Sequence, residues 1–495
     1  MRTVPPTEKG KYRAIASGAI ANGKPVVVNS DGTVSQVSST GTVTAASTGT
    51  HVEFENAQIT SHGLAYSTEH DRVAIAYRDH GNSNYGTVVV GTISGTSISY
   101  GTPTVYRSNS VTVGSTVYAS DQSRIAIVYN NSNINRAETA IGLIDPSDNS
   151  IAIQYESDWY TGTIAYITTA FNDTQNFVTA AFMQTSDSDG YVRGFDVASN
   201  GQFVESTSNT KYEDSTIRSA RQKIFYAKDV DGTNDRIVVA YADDGDSDNG
   251  KVTAGYQSGT SDYAFNLTAT FNAAATGDVG AAYIGSGKFV VAYRDGGNSN
   301  HGYARVGTFN STSEITFGTA AVFNAAATAD IEVLYDSSRD KIFILYGDAG
   351  NNEYATIITG TVSGTDISFS DETALNSVAS IGIYGVVDPD TNNIVVCYQN
   401  NGDSGHGYAL VHSPATSSTN LTSTENYIGI AKGGSYADGQ SMTVDIIGTV
   451  NDDQTSLTAG QQYFVQTDGT LSTSAGSPSV FAGTAISATE LIVKE

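Results

Sequence analysis

The sequence predicts an all-β, seven-bladed β-propeller with four-stranded blades, and three observations predict it: a fixed repeat, an apolar pattern inside each copy, and a turn motif after each apolar run. The clearest copy is Asp71-Arg72-Val73-Ala74-Ile75-Ala76-Tyr77-Arg78-Asp79-His80-Gly81-Asn82-Ser83, written again at Asp235 to Ser247 and at Lys288 to Ser299. The aromatic that ends the run falls at Tyr77, Tyr129, Phe182, Tyr241, Tyr293, Tyr346 and Tyr398, with gaps of 52, 53, 59, 52, 53 and 52 residues. A period in that range marks a repeat architecture, and room for four short strands per copy makes it a propeller.

Within each central strand, alternate positions are large (Val73, Ile75, Tyr77; Phe289, Val291, Tyr293) and those between are mostly small (Ala74, Ala76; Val290, Ala292). Both faces are therefore apolar, as in a sheet packed between two neighbours. The outer part of the unit is legible where Gly91 to Tyr100 reappears as Gly360 to Phe369, the end of a third strand, a turn and a fourth strand. The third unit, residues about 158 to 226, is the most degenerate. A spacing of 12 residues, Tyr106 to Tyr118, Phe271 to Tyr283 and Phe323 to Tyr335, joins each outer strand to the next inner one. Phe54 to Tyr66 has the same spacing with no blade before it, and the last unit, ending near Ser413, lacks an outer strand. Residues 51–57 are thus expected to complete the seventh blade and remove an open sheet edge.

Composition agrees with an all-β chain. Of 495 residues, 50 are Gly and 29 Tyr, charged residues make up 15%, and no segment holds a helical period. The net charge of −26 repels phosphate backbones, so nucleic acid is not an expected partner. Nothing approaches the apolar length of a membrane span, and the first nine residues lack the apolar core of a secretory signal. Cys397, the single cysteine, stands where other copies have Ala76, Ala240 and Ala292, so it reads as a small buried hydrophobe.

Outside the array, residues 1 to about 11 read as a polar arm. Ile20 to Ser35 forms two strands about an Asp31-Gly32 turn. Sixteen positions of it align without a gap on Leu457 to Ser472, so both termini are expected to build one small β domain. The domain assignment is 1–48 with 415–495 for that domain and 51–414 for the propeller, with Gly41 to Gly49 as the linker.

The most repeated polar feature is the loop after the central strand: Asp79-x-Gly81-Asn82-Ser83, Asp243-x-Gly245-Asp246-Ser247, Asp295-x-Gly297-Asn298-Ser299, Asp348-x-Gly350-Asn351 and Asn400-x-Gly402-Asp403-Ser404. The simplest reading is a turn, in which Asp or Asn bonds the backbone ahead and Gly supplies a positive φ. Since such loops share one face of a ring, Asp79, Asn82, Asp243, Asp246, Asp295, Asn298, Asp348, Asn351 and Asp403, with Tyr85, Tyr303 and Tyr408 beside them, are also candidates to bind a glycan. Asp243, Asp244, Asp246 and Asp248 offer four hard oxygens suited to calcium, but lack the Gly and Glu positions of an EF-hand. No other cofactor is indicated. Gly402-Asp403-Ser404-Gly405-His406 resembles the serine-nucleophile motif of chymotrypsin-like proteases, yet Ser404 occupies the slot of Ser83, Ser247 and Ser299 and reads as a repeat turn. The seven histidines show no zinc-ligand spacing.

Three carboxyl-terminal stretches, Asn426 to Ala431, Leu457 to Ser472 and Val480 to Ser487, together resemble a terminal module of tailed-bacteriophage virion proteins, similar to segments of tail fibres and other surface proteins of phages from aquatic bacteria. The amino-terminal half of the module more faintly resembles the small β domain of phage head-decoration proteins. The resemblance covers about 70 carboxyl-terminal and 25 amino-terminal residues. It implies attachment to a virion and homo-oligomer assembly, often as trimers, and transfers no catalytic residue. The expectation is a non-enzymatic virion surface protein that docks on other virion proteins through its terminal domain and presents the propeller to a host-surface glycan or as particle decoration. Lack of a secretory signal and an acidic surface suit a particle assembled in the host cytoplasm. A propeller glycosidase, which needs two carboxylates roughly 5–10 Å apart in one pocket, and a bacterial surface lectin are the alternatives.

Overall fold

The computed structural model describes residues 10–38, 45–198, 202–205, 208–217, 222–228, 230, 235–258, 262–311, 314–415, 420–421, 423–476 and 478–494. Most of the amino-terminal arm (1–9) and part of the linker (41–44) lie outside them. The chain divides into two compact units, Ser47–Ser413 and Met1–Ala46 with Pro414–Glu495.

Unit Ser47–Ser413 is all-β among the described residues and is organised like a propeller, in antiparallel sheets built on the repeat. In the first copy Arg72–Asp79 is flanked by the end of Val52–Ser67 and by Tyr85–Ser94, with Ala65 opposite Ala74 and Ala74 opposite Val90. The fourth position is shared by Ser97–Tyr100 and the start of Thr104–Ala119. The end of Thr104–Ala119 then pairs with Arg124–Asn131 of the next sheet. Ala321–Asp336 and Asp366–Val387 cross from sheet to sheet in the same way. The 12-residue spacing is the length of that crossing.

Val52–Ser67 is built alike, but its first half pairs with the far end of the unit: Val52 lies opposite Ala409, Glu53 opposite Tyr408, Glu55 opposite Gly407 and Gln58 opposite His406. Residues 51–57 thus lie beside the sheet that contains Tyr398. Ser47–Thr48 extends the pairing to Ser413 and His412, so the last part of the expected linker is strand.

Burial explains the alternation of large and small residues. Val73, Ile75 and Tyr77 pack on Val395, Cys397 and Val411 of one neighbouring sheet, whereas Ala74 and Ala76 receive Ile125, Ile127 and Tyr129 of the other. Large faces meet small faces again where Val290 and Ala292 meet Ile342, Ile344 and Tyr346. Cys397 is fully buried on a small face.

Unit Met1–Ala46 with Pro414–Glu495 holds two five-stranded sheets that repeat one another. The first has the order Lys11–Ile15, Ser441–Asp445, Tyr427–Lys432, Pro25–Val28, Val34–Gln36; the second has the order Val450–Asn451, Leu491–Val493, Val480–Ala485, Gln462–Val465, Leu471–Ser472. The same bulge interrupts both, between Val26 opposite Gly429 and Val27 opposite Tyr427, and between Tyr463 opposite Gly483 and Phe464 opposite Phe481. Both bulge glycines have φ +152°, where a Cβ would lie 2.1 Å from the Asp445 carbonyl oxygen or 2.0 Å from that of Ile492. The sixteen aligned positions are the equivalent hairpins of the two copies. One core joins them, with Val27, Tyr427 and Ile430 of the first packed with Tyr463, Val480 and Leu491 of the second. The first copy is interrupted after its third strand by Ser47–Ser413, whereas the second bridges the same point with residues 473–479.

Candidate functional site

The repeated loops are built as turns. Asp295, Asp348 and Asn400 each accept a hydrogen bond through Oδ1 from the glycine N–H two residues on, at 2.9 Å. Asp79 accepts from the Asn82 N–H at 3.0 Å. The glycines are not in the left-handed region expected of them. That conformation falls later, at Ser83 and Asn84, Ser247 and Asp248, Ser299 and Asn300, Asn352 and Glu353, and Ser404. Glycine is needed for close approach instead: a Cβ on Gly81, Gly297 or Gly350 would lie 2.7 Å from the Cβ of Ala57, Ala274 or Ala326. Ser404 is one of the left-handed turn residues.

The turn acids are also tied from behind. Asn324 donates through Nδ2 to Asp348 Oδ1 at 2.9 Å and to Thr328 Oγ1 at 3.1 Å, while its Oδ1 accepts the Ala326 N–H. Asn272 makes the same bonds to Thr276 and, at 3.3 Å, to Asp295, and Asn376 bonds Ser380. Sequence reasoning missed this cradle, although Phe-Asn-Ala-Ala-Ala-Thr stands twice, at 271–276 and 323–328.

Burial divides the predicted glycan residues. Asp79, Asp243 and Asp348 are buried, so they hold the loops and present nothing to a ligand. Asn82, Asp246, Asn298 and Asn351 are exposed at the tips, and Asp295 and Asp403 are half-exposed. Two tips meet the expected aromatics. Tyr408 donates its hydroxyl to Asp403 Oδ2 at 2.6 Å and stacks on Tyr398, with centroids 6.2 Å apart. Asn298 donates to the Tyr303 hydroxyl, and Tyr303 stacks likewise on Tyr293. The Asp403 hydrogen bond pushes the Tyr408 phenol above its ordinary value.

The calcium candidates do not assemble. Lys251 Nζ lies 2.6 Å from Asp243 Oδ2 and 2.9 Å from Asp246 Oδ2, so an ammonium fills the place a cation would take. No three of Asp243, Asp244, Asp246 and Asp248 bring ligand oxygens within 4.8 Å of one another. Asp71, Asp388 and Asp390 do come that close, around the Tyr66 hydroxyl, which donates to Asp71 and Asp388.

A cavity of about 810 Å³ lies along the innermost strands of the unit, and every repeat copy contributes to its wall. Thr112, Ser115 and Thr168 line it, and Lys223 pairs with Glu332 across it. Also unforeseen is the contact between sheets. Phe54, Tyr106, Trp159, Tyr212, Phe271 and Phe323 sit on outer strands, with ring centroids 5.0–5.4 Å from Tyr77, Tyr129, Phe182, Tyr241, Tyr293 and Tyr346. The signal was present as a second aromatic 22 or 23 residues ahead of the repeat aromatic, and 29 ahead in one copy.

No family profile and no curated protein matches the sequence. Among solved structures, Sqt1 of Saccharomyces cerevisiae is similar with a TM-score of 0.47 at 10% identity, over 75% of this chain and 100% of its own. A protein of unknown function from Dyadobacter fermentans is similar with a TM-score of 0.45 at 12% identity, over 75% of this chain and 100% of its own. Among the described residues no helix is long and apolar enough to cross a membrane.

Proposed function

We propose that this chain is a non-enzymatic virion surface protein of a tailed phage, in which a seven-bladed propeller is carried on a duplicated terminal β module. The count of seven rests on the seven repeat aromatics and on the seven inner strands around the cavity. Closure rests on the pairing of Val52–Gln58 with His406–Ala409. The observation that carries the functional reading is the terminal module, whose residues 426–431, 457–472 and 480–487 resemble virion modules; 426–431 and 480–487 lie in equivalent strands of two like sheets, and 457–472 is the counterpart of 20–35. In this reading the module docks on other virion proteins and supports a homo-oligomer, a trimer by analogy.

The exposed loop tips serve a neutral host glycan, because aromatic rings beside amides and carboxylates suit sugar hydroxyls and C–H faces. Asn82, Asn298 with Tyr303, and Asp403 with Tyr408 are the residues to carry it. Imaging of the intact particle with this chain labelled should place it on the surface, and a chain without Met1–Ala46 and Pro414–Glu495 should stay out of particles; incorporation of the bare propeller would refute docking by the module. Replacing Asn298 and Asp403 by Ala should weaken host-glycan retention about tenfold, roughly 1.4 kcal/mol, with the melting temperature nearly unchanged. Unaltered retention would return these loops to a purely structural role.

A further inference from the structure

Four of the seven histidines gather where residues 47–67 meet the end of the propeller-like unit. His51 Nδ1 lies 2.5 Å from the Tyr398 hydroxyl, and His412 Nδ1 lies 3.0 Å from Thr48 Oγ1. His406 Nδ1 lies 2.7 Å from Glu53 Oε1 and 3.5 Å from Asp403 Oδ2. The His62 ring stands edge-on to Tyr384 with centroids 5.2 Å apart.

The repeat shows what is special about this seam. At the position of His412 five other copies carry Gly91, Gly142, Gly255, Gly307 and Gly360, and the third copy carries Phe195. Gly91, Gly255, Gly307 and Gly360 each lie opposite an aromatic of their own fourth strand, namely Tyr100, Phe265, Phe317 and Phe369, whereas Gly142 lies opposite Ile153. At the seam the ring is on the other side of the pair, with His412 opposite Thr48. A titratable imidazole therefore replaces the glycine and aromatic found in four of the other sheets. Here too the outermost strand comes from the opposite end of the unit, so no turn links it to His406–Ser413 and only non-covalent contacts hold it to that strand.

We propose that this seam is an acid-operated latch: protonation of His51 and His412 releases residues 47–58 from His406–Ser413 while the remaining sheets stay paired. Burial pushes His412 down to about 4 and lowers His51, and no charged group contributes to either shift. A folded value below the unfolded one means that the contribution is complete above about pH 6.5 and is lost as pH falls toward the folded value. The groups facing the two rings are hydroxyls, Thr48 for His412 and Tyr398 for His51, which do not neutralise an imidazolium. The carboxylates of the segment are turned elsewhere: Glu53 to His406, and Glu55 to the Tyr77 hydroxyl at 3.0 Å. A protonated His406 pairs with Glu53 and Asp403 and opposes release, but all three are partly exposed, where water screens the pair.

Hydrogen–deuterium exchange on the full chain, corrected for intrinsic rates, tests this. Between neutral pH and about pH 5, peptides covering 47–58 and 406–413 should lose protection by about tenfold or more, while 124–145 and 341–363 keep theirs. Unchanged protection at the seam, or equal loss in every sheet, overturns the proposal. The double variant His51→Gln and His412→Gln should hold the seam closed at the lower pH; loss equal to that of the native chain would assign the effect to carboxylates and overturn it. Should the variant not fold, NMR titration of the native imidazoles decides, since ordinary values for both rings would leave the latch without a trigger.

Discussion

At the scale of single residues, glycine and aromatic positions set the spacing between sheets. A Cβ on Gly86 would fall 2.4 Å from the Tyr106 ring, one on Gly302 2.5 Å from Phe323, and one on Gly407 2.4 Å from Phe54. In the sixth copy Ala355 stands at this position and Leu375 replaces the aromatic, so the smaller side chain admits the methyl. Gly86→Ala should therefore cost about 1–3 kcal/mol by overpacking, read as a lower urea midpoint, and Gly86→Ala with Tyr106→Leu should recover part of it. The tyrosine hydroxyls add a pH-dependent contact. Burial and the nearby Asp79 raise the Glu55 carboxyl above its ordinary value, and the Tyr77 hydroxyl donates to it. Since its folded value exceeds the unfolded one, Glu55 favours folding most below its unfolded value, and that contribution is lost as pH rises through the folded value. Tyr77→Phe removes the donor to the charged form, at a cost of about 1–3 kcal/mol near pH 7. The deficit should shrink below about pH 4.5, where Glu55 is protonated; a deficit constant with pH would show that the bond to the carboxylate is not its cause.

Among the elements, the connection from an outer strand to the next inner strand is the most constrained part of the unit. Asn324 satisfies three partners there and is buried, so Asn324→Ala removes one of the bonds to Asp348 and takes the side-chain acceptor from the Ala326 N–H. The expected cost is about 2–3 kcal/mol, and Asn272→Ala, with its longer bond to Asp295, should cost less. Equal costs in thermal unfolding would argue that the bond to the turn acid contributes little. The inner strands also carry bulges at a recurrent place, with Tyr166, Asp278 and Asp330 in the left-handed region. Asp330 uses its position to accept the Gly382 N–H of the next inner strand at 2.9 Å, and Ser61 accepts the Val113 N–H likewise. The Asp330 bond offsets part of the strain of its left-handed backbone, which is of order 1–3 kcal/mol.

For the whole molecule, the decisive contact is the one between remote parts of the chain. Without residues 47–58 the His406–Ser413 strand becomes a bare edge, and such edges recruit other strands. A chain lacking them should self-associate in sedimentation experiments at concentrations where the full chain does not. A monomeric, equally stable deletion variant would show that this strand is dispensable. The duplicated terminal sheets explain how a large propeller-like unit can be inserted: the chain leaves and re-enters one copy between the strands that the other copy joins directly in sequence, Leu471–Ser472 and Val480–Ala485.

The sequence by itself determined the period, the central strand of each copy, its two apolar faces and the turn that follows, because these depend on spacings within about twenty residues that repeat along the chain. It also placed residues 51–57, since a strand missing at one end and spare at the other is a matter of counting. Only the tertiary structure decided that Asp79, Asp243 and Asp348 are buried, that Lys251 occupies the acidic loop, that Trp159 and Tyr212 continue the aromatic contacts, and that the terminal hairpins belong to two copies of one sheet. Burial and ion pairing are set by what another part of the chain brings alongside, and no local spacing records that.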